Sequence, residues 1–464
     1  MTPQPSAAPV RLAMTYPYEA EGGERDRELP FRVGVIADLA GDPAFPLPPP
    51  DERRFLPLGE DGIAGAMARL APGLRHAFGG PGEGDAVTLG FRSLADFELA
   101  GLARQLAAAG MAPTDARIAS GQQNERFLCL EAAWRSLDLL AARAGNDKAI
   151  GICLLPLSRA EFAAALRPPA GGAPGWLQRC VDDDVFQRRG AAPFALLVGD
   201  QAWTEAAEDI ETLRLMAAVA ATVFAPFVAA ADVSLCELGR SVGPGEKHGT
   251  PEAAWSALRE SDESRFLVLT APPRIEAVPG AFWVAARLID AFRRDGFCAD
   301  VPGAEPLAGA PPEMPLARCG FMPVVQRAPG APPTMVGVLT VHRPRHYAHP
   351  EASLNAAIGA TLPYVMVTGR IAHCLKAMAR DRIGGFAEAG DLETWMARWL
   401  LNLARAGAER GAMPRHPLYQ GQLELKQVPD APGTFNAVCH LRPWLAMAEL
   451  TTEMRMVVRL PRQI

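Results

Sequence analysis

The spacing of apolar residues divides the chain into alternating short extended runs and longer helical ones. In ELPFRVGVIADLAG, Val33, Val35 and Ile36 predict a short strand that ends at Asp38 and Gly41. DERRFLPLG reads as a second extended piece, and DGIAGAMARLAPGL as a helix stopped by Pro72. DAVTLGFRSLADFELAGLARQLAAAG predicts a strand, a start signal at Ser93 with Asp96 three residues on, and a helix. LEAAWRSLDLLAAR sets Leu130, Trp134, Leu137 and Ala141 on one apolar stripe, with Glu131 and Arg135 spaced for an i,i+4 ion pair. That pattern predicts an amphipathic core helix anchored by Trp134.

The rest of the chain keeps the alternation. KAIGICLLPLS, PFALLVGD and SRFLVLTAPP are continuous apolar runs of buried-strand type, and GFMPVVQ with TMVGVLTV predicts a strand pair. AEDIETLRLMAAVAATVFAPFVAAAD reads as a long Ala-rich helix running into a strand, and FWVAARLIDAFRRDGF as a helix. Two more helical blocks, ASLNAAIGATLPYVMVTGRIAHCLKAMARDRIGGF and DLETWMARWLLNLARAG, precede three strand candidates, GQLELKQVP, TFNAVCHLRP and AELTTEMRMVVRLP. The fold class is α/β, of mixed α+β character. Residues 1–28 are polar, lack strand-like alternation and predict a flexible terminus; residues 29–110 form a small α/β unit, and residues 122–461 a larger domain.

Composition narrows the functional classes. The 464 residues are 49% hydrophobic and 21% charged, enough for a sizeable core. A net charge of −6 disfavours a nucleic-acid binder, which carries a basic face. The opening residues lack the apolar core of a signal peptide, and Pro226 interrupts the longest apolar run, so neither export nor membrane insertion is expected. Eight cysteines (129, 153, 180, 236, 298, 319, 374 and 439) show no CxxC and no framework spacing, which predicts reduced, mostly buried thiols in a cytoplasmic protein.

The search for chemistry yields no enzyme motif. His342, His346 and His349 have metal-ligand spacing on a helix, but Pro344 breaks that helix and favours a solvated loop. VGPGEKHGT is rich in glycine, yet Lys247 is followed by His248 rather than Ser or Thr, so it does not make a phosphate loop. Asp182, Asp183 and Asp184 lack the further oxygen ligands of a calcium loop. No catalytic residue, cofactor or metal is expected.

The order of segments is itself informative. ERFLCLEAAWRSLDLLAAR, PFALLVGD, DIETLRLMAAVAATVFAPFVAAAD, WSALRESDESRFLVLTAPPR, the block ending in ARDRIGGF, and the closing FNAVCHLRPWLAMAELTTEMRMVVRLP resemble the large sheath subunit of the type VI secretion system (TssC, or VipB). ELPFRVGVIADLAG, DERRFLPL, GAMARLAPGLR and LGFRSLADFELAGLARQL resemble the small subunit (TssB, or VipA) over residues 28–106. The resemblance implies a fusion of the two, with the sheath-subunit fold in which a small N-terminal unit packs on a larger domain. Its motif helix contributes Leu130, Glu131, Trp134, Arg135 and Leu137.

The function implied is structural: self-association into rings or a helical sheath around an inner tube of Hcp rings, contact with baseplate components, and injection driven by contraction. Glu388, Asp391 and Glu393, at an acidic helix start, are the candidate tube-facing residues, although acidic side chains also suit a helix N-terminus without any partner. Two family extensions have no counterpart, the C-terminal helical segment of the small subunit and the N-terminal arm of the large one. Strand donation between protomers and recycling by the ClpV unfoldase use those arms. The alternative is therefore a non-polymerising, sheath-derived adaptor that binds the baseplate or the sheath end.

Overall fold

The structure is a computed structural model that describes residues 11, 13–20, 23–78, 86–169, 171–186, 191–241, 249–307, 312–381, 389–404, 416–429, 431 and 433–460. From the amino end come a hairpin of β1 (Thr15–Ala20) and β2 (Gly23–Glu28), then β3 (Phe31–Ala37), β4 (Leu56–Pro57) and α1 (Gly62–Leu70). An antiparallel pair follows, β5 (Gly73–His76) and β6 (Val87–Gly90), and then α2 (Leu99–Ala108) and α3 (Asp115–Gln122). The motif helix is α4 (Glu125–Ala144), capped by Asn124 Oδ1 on the Phe127 N–H.

Next come β7 (Ile150–Pro156), α5 (Arg159–Leu166), α6 (Trp176–Phe186), β8 (Phe194–Trp203), α7 (Ala207–Val223), β9 (Phe227–Ala231), α8 (Val233–Ser241) and α9 (Pro251–Glu260). They lead to β10 (Leu267–Ala271), a small pair β11 (Arg274–Ile275) and β12 (Val278–Pro279), α10 (Gly280–Asp295), β13 (Ala304–Glu305), α11 (Met314–Arg318), β14 (Met322–Val325) and β15 (Thr334–Val336). The chain ends with α12 (Pro350–Ile358), α13 (Leu362–Asp381), α14 (Ala389–Asn402) and the strands β16 (Leu418–Gln427), β17 (Phe435–Pro443) and β18 (Met454–Arg459).

One sheet organises the molecule, in the order β13-β15-β14-β10-β9-β8-β3-β7-β4. Its centre is parallel, and each of these strands is apolar on both faces because helices cover both. β3 shows the division. Phe31, Val33, Val35 and Ala37 join the core beneath α4 and α10, while Ile36 joins the opposite core with α5, α6, α7 and α9. A third core lies between α13, α14 and the separate antiparallel sheet β16-β17-β18.

Two expectations from the sequence are corrected. Residues 15–28 form a hairpin with full register from Thr15↔Glu28 to Ala20↔Gly23, and Tyr16 is completely buried, whereas the composition implied a flexible terminus. The hairpin is held by tertiary contacts of its aromatic residues, which a polar average conceals. TMVGVLTV yields only the three residues of β15, because Gly337 (φ 79°) and Val338 (φ 41°) turn the chain out of the strand.

Candidate assembly interface

β3 sits between β8 and β7, strands that lie more than a hundred residues further along the chain. Its register runs Phe31↔Ile150 through Ala37↔Pro156 on one side and Arg32↔Phe194 through Ile36↔Gly199 on the other. Gly34 faces this second neighbour closely: a Cβ there would lie 2.8 Å from Leu197 Cδ2. The Arg32 guanidinium stacks on Phe194, 4.5 Å from the ring centre.

The turn after β3 is gripped from three directions. Trp134 on α4 is wholly buried, and its indole Nε1–H donates to the Leu39 carbonyl at 3.1 Å. The Asp38 N–H donates to Asp200 Oδ2 at the end of the PFALLVGD run (3.1 Å), and Arg126 pairs with Asp42 at 2.8 Å. Gly41 makes the turn with φ 59°, and a Cβ there would lie 2.5 Å from the Gly73 carbonyl oxygen, so no other residue fits. Burial pushes the Asp200 carboxyl up to about 7, against the lowering effect of the hydrogen bond from the Asp38 N–H.

Around Trp134 the helix presents the stripe its periodicity predicts. Leu130 and Leu137 are buried with it, joined by Phe127, Leu140 and Ala144, while Ala141 is half-buried. Glu131 and Arg135 form the i,i+4 pair at 2.8 Å on the partly exposed flank. An exposed pair of this kind contributes only about 0.3–0.5 kcal/mol, so the anchoring comes from the apolar stripe.

α13 supplies a second set of clamps. Its buried polar side chains point at backbone carbonyls: Arg370 donates to Leu29 (2.6 Å) and Pro30 (3.2 Å), the two residues between the hairpin and β3. His373 and Lys376 donate to Val223 and Thr222, the free carbonyls at the end of α7, at 2.7 and 2.8 Å. At the foot of the helix, Asp381 accepts from Tyr16 Oη and from Arg380 Nε, both at 2.8 Å, and lies 3.8 Å from Arg27. These contacts hold the Asp381 carboxyl below its ordinary range against the opposing effect of burial, while burial and the Asp381 carboxylate raise the Tyr16 phenol against the lowering effect of Arg380 and Arg27. Trp399 on α14 donates to the Thr15 carbonyl at 2.8 Å. Sequence reasoning found the Ala-Arg-Asp run but not its role; the signal available was Tyr16 and Tyr18 alternating around Pro17, a mark of an edge strand.

The acidic start of α14 divides into different environments. Glu393 Oε2 accepts the Leu425 N–H of β16 at 2.8 Å and is therefore committed within the fold, Asp391 is exposed, and Glu388 lies outside the described residues. Within the terminal sheet β17 is central. Among the described residues, the outer edges of β16 and β18 make no strand pairing apart from one bridge between Leu418 and Ala404. The core face of β18 carries Met456 and Val458, while Arg455, Val457 and Arg459 face out.

The groups considered for catalysis or metal binding do not converge. His342 is buried, with Nδ1 between the Ser261 carbonyl (2.9 Å) and the Ser264 hydroxyl (3.0 Å), and burial pushes it down to about 4. His346 and His349 are exposed, and His349 precedes α12. Asp182 belongs to α6, while the side chains of Asp183 and Asp184, like residues 242–248, lie outside the described residues. Among the described residues no three metal-type ligands come together.

A Ser120–His76–Asn124 alignment does appear, with contacts of 3.3 and 3.1 Å. Asn124 Oδ1 is already taken by the Phe127 N–H, so its amide NH₂ donates to His76 Nδ1. The imidazole proton then lies on Nε2 and is donated to Ser120, the wrong tautomer for a general base. All eight cysteines are free, and seven are buried, with Cys129 exposed.

The four elements that grip residues 15–42, namely α4, β8, α13 and α14, carry sequence of one kind, and the gripped residues carry another. Residues 5–109 match the family model "Type VI secretion system, VipA, VC_A0107 or Hcp2". Residues 118–279, which include Trp134 and Asp200, match "EvpB/VC_A0108, tail sheath N-terminal domain", and residues 351–460, which include α13, match "EvpB/VC_A0108, tail sheath gpW/gp25-like domain". Type VI secretion system sheath protein TssC1 of Pseudomonas aeruginosa is 27% identical over 405 residues, covering 72% of this chain and 81% of that protein. Sheath protein TssB1 of the same organism is 37% identical over 101 residues, 21% of this chain; the match spans 58% of TssB1's own length. The chain belongs to the type VI secretion sheath proteins, a structural subunit with small-subunit-like and large-subunit-like sequence in one polypeptide.

Proposed function

We propose that this chain is a self-contained sheath protomer, supplying both obligate halves at fixed one-to-one stoichiometry. The observation that supports the reading is the central place of β3 between β7 and β8. A strand bonded on both sides cannot be withdrawn without exposing two rows of backbone hydrogen-bonding groups. Tethering the halves raises their effective concentration to the millimolar range. The proposed division is a small unit over residues 29–110 and a large one over residues 122–461.

In this reading protomers associate into rings or a helical sheath around an Hcp tube in the cytoplasm, anchored on baseplate components. Work comes from the free-energy difference between extended and contracted packings of the same subunits. No step requires catalysis, a cofactor or membrane insertion, and no described helix is long and apolar enough to cross a membrane. The exposed Asp391 is the remaining candidate for the tube-facing surface at the described start of α14. The open edges of β16 and β18 are suited to strand addition between protomers.

A second reading, a non-polymerising adaptor at the baseplate or sheath end, is favoured by the join between the units. There α3 and short turns connect α2 directly to α4, leaving no free arm for strand donation or for ClpV. Negative-stain microscopy of the purified chain, alone and with Hcp, separates the two. Tubes or rings support the sheath protomer; particles that stay single under both conditions assign the adaptor.

A further inference from the structure

Two exposed features at opposite ends of the main sheet are complementary. The loop leaving β3 contains PAFPLPPPDERR, residues 43–54. From Phe45 to Pro49 every residue is a proline or precedes one, which restricts each to extended, polyproline-like dihedrals. Residues 46–49 accordingly carry no helix or strand, and Pro49 has φ −49° and ψ 144°. A polyproline helix repeats every three residues, and the burial follows it: Leu47 and Pro50 face inward, while Pro46, Pro48 and Pro49 are exposed beside Phe45, which is 75% exposed. The loop is held at its base, where Arg53 donates to the Pro48 carbonyl and pairs with Glu161, both at 2.8 Å.

The second feature is an open groove of about 350 Å³. Its floor is aromatic: Phe224 and Phe266 meet edge to face at 5.7 Å, with Tyr364 beside them and Val457 of β18 forming a partly exposed wall. The rim carries both signs, Glu263 and Arg455 together with the Asp262–Arg265 pair. Aromatic grooves with charged rims are the surfaces that accept preformed polyproline segments, because such a segment loses little entropy on binding. The acidic Asp51 and Glu52, followed by Arg54, give the loop the opposite charges to meet such a rim.

Topology forbids the two from meeting within one molecule. The loop leaves the carboxyl end of β3, whereas Phe224 and Phe266 precede β9 and β10 at their amino ends. These strands run parallel through β8, so loop and groove lie on opposite rims of the sheet. We propose that the Phe45–Pro49 segment of one copy seats in the Phe224/Phe266/Tyr364 groove of a second copy, a head-to-tail contact between protomers. Such a contact is heterologous and generates rings or helical filaments rather than closed dimers. The proposal rests on the self-associating reading above and gives it a specific contact.

The test is fluorescence anisotropy with a labelled peptide of residues 43–54. Full-length Phe45→Asp protein serves as receptor, so that its own loop does not compete. The contact predicts saturable binding that weakens at least tenfold for a Phe45→Asp peptide, and at least tenfold when Val457→Arg is added to the receptor. Absence of saturable binding, or binding indifferent to both changes, overturns it. Wild-type tubes in the microscope without peptide binding remove this contact and leave the sheath reading standing. Peptide binding by a chain that associates only into short open chains of protomers, never tubes, retires the sheath reading and leaves the contact standing.

Discussion

Replacing Trp134 by Ala tests how tightly the two sequence units are locked. The side chain is 0% exposed and packs where α4 crosses the end of β3. Burying an indole removes roughly 200 Å² from water, about 5 kcal/mol at 25 cal/mol per Å². Truncation of a buried Trp to Ala is measured at about 3–5 kcal/mol, because the site collapses only in part. The change also leaves the Leu39 carbonyl without its indole donor, which adds about 1 kcal/mol. If 464 residues unfold as one unit, the unfolding entropy near the midpoint is roughly 1 kcal/mol per degree, so Tm falls by about 4–6 °C. Differential scanning calorimetry of Trp134→Ala and Trp134→Phe is the assay, with Phe expected to recover most of the loss. A Tm within 1 °C of wild type for the Ala variant would refute the anchoring role.

Three other outcomes follow from buried ionisable groups. Asp381→Ala removes the acceptor shared by Tyr16 and Arg380, and breaking a buried pair costs about 3–5 kcal/mol; hydrogen exchange should show protection of residues 15–28 falling well before that of β3, and uniform protection would count against the clamp. His342 and His373 are held neutral by burial at about 4 and about 3, below the ordinary 6.5. Their contribution is present above pH 6.5 and is lost as pH falls below it, by roughly 2–3 kcal/mol each at pH 4.5; His373→Gln, which keeps an N–H donor for Val223, should flatten the acid limb of a urea midpoint against pH curve, and an unchanged slope contradicts the assignment. Asp200 acts in the opposite sense. Its carboxyl, raised from 3.8 to about 7, contributes stability at low pH that is lost as pH rises through that window, so Asp200→Asn should remove this slope between pH 4 and 7.

The sequence carried local information well and partner information poorly. The stripe of Leu130, Trp134 and Leu137 was legible because helical periodicity is local. So was the Ser93–Asp96 capping box, present with both reciprocal bonds. The place of β3 between β7 and β8 was not legible, because an apolar run looks the same whichever strands flank it. α5 was missed although Ser158 and Glu161 spell a capping box before it. Glu393 reads as a surface acid, and only tertiary structure shows that it satisfies a backbone N–H of β16. The grip on residues 15–42 was invisible for the same reason: Arg370, Asp200 and Trp134 lie far apart in sequence and meet their partners only in the folded sheet.

The central claim is that the two family units interlock inside one chain, and cutting the join tests it most directly. Ala112, Pro113 and Thr114 lie exposed between α2 and α3. A specific protease site inserted there, cleaved after folding, leaves β3 covalently detached from β7 and β8. Size-exclusion chromatography with light scattering at micromolar concentration is predicted to return both fragments together at 1:1 stoichiometry, at the mass the uncut protein shows under the same conditions. Separation of the fragments without denaturant would contradict the interlocked sheet and the reading of this chain as a self-contained protomer.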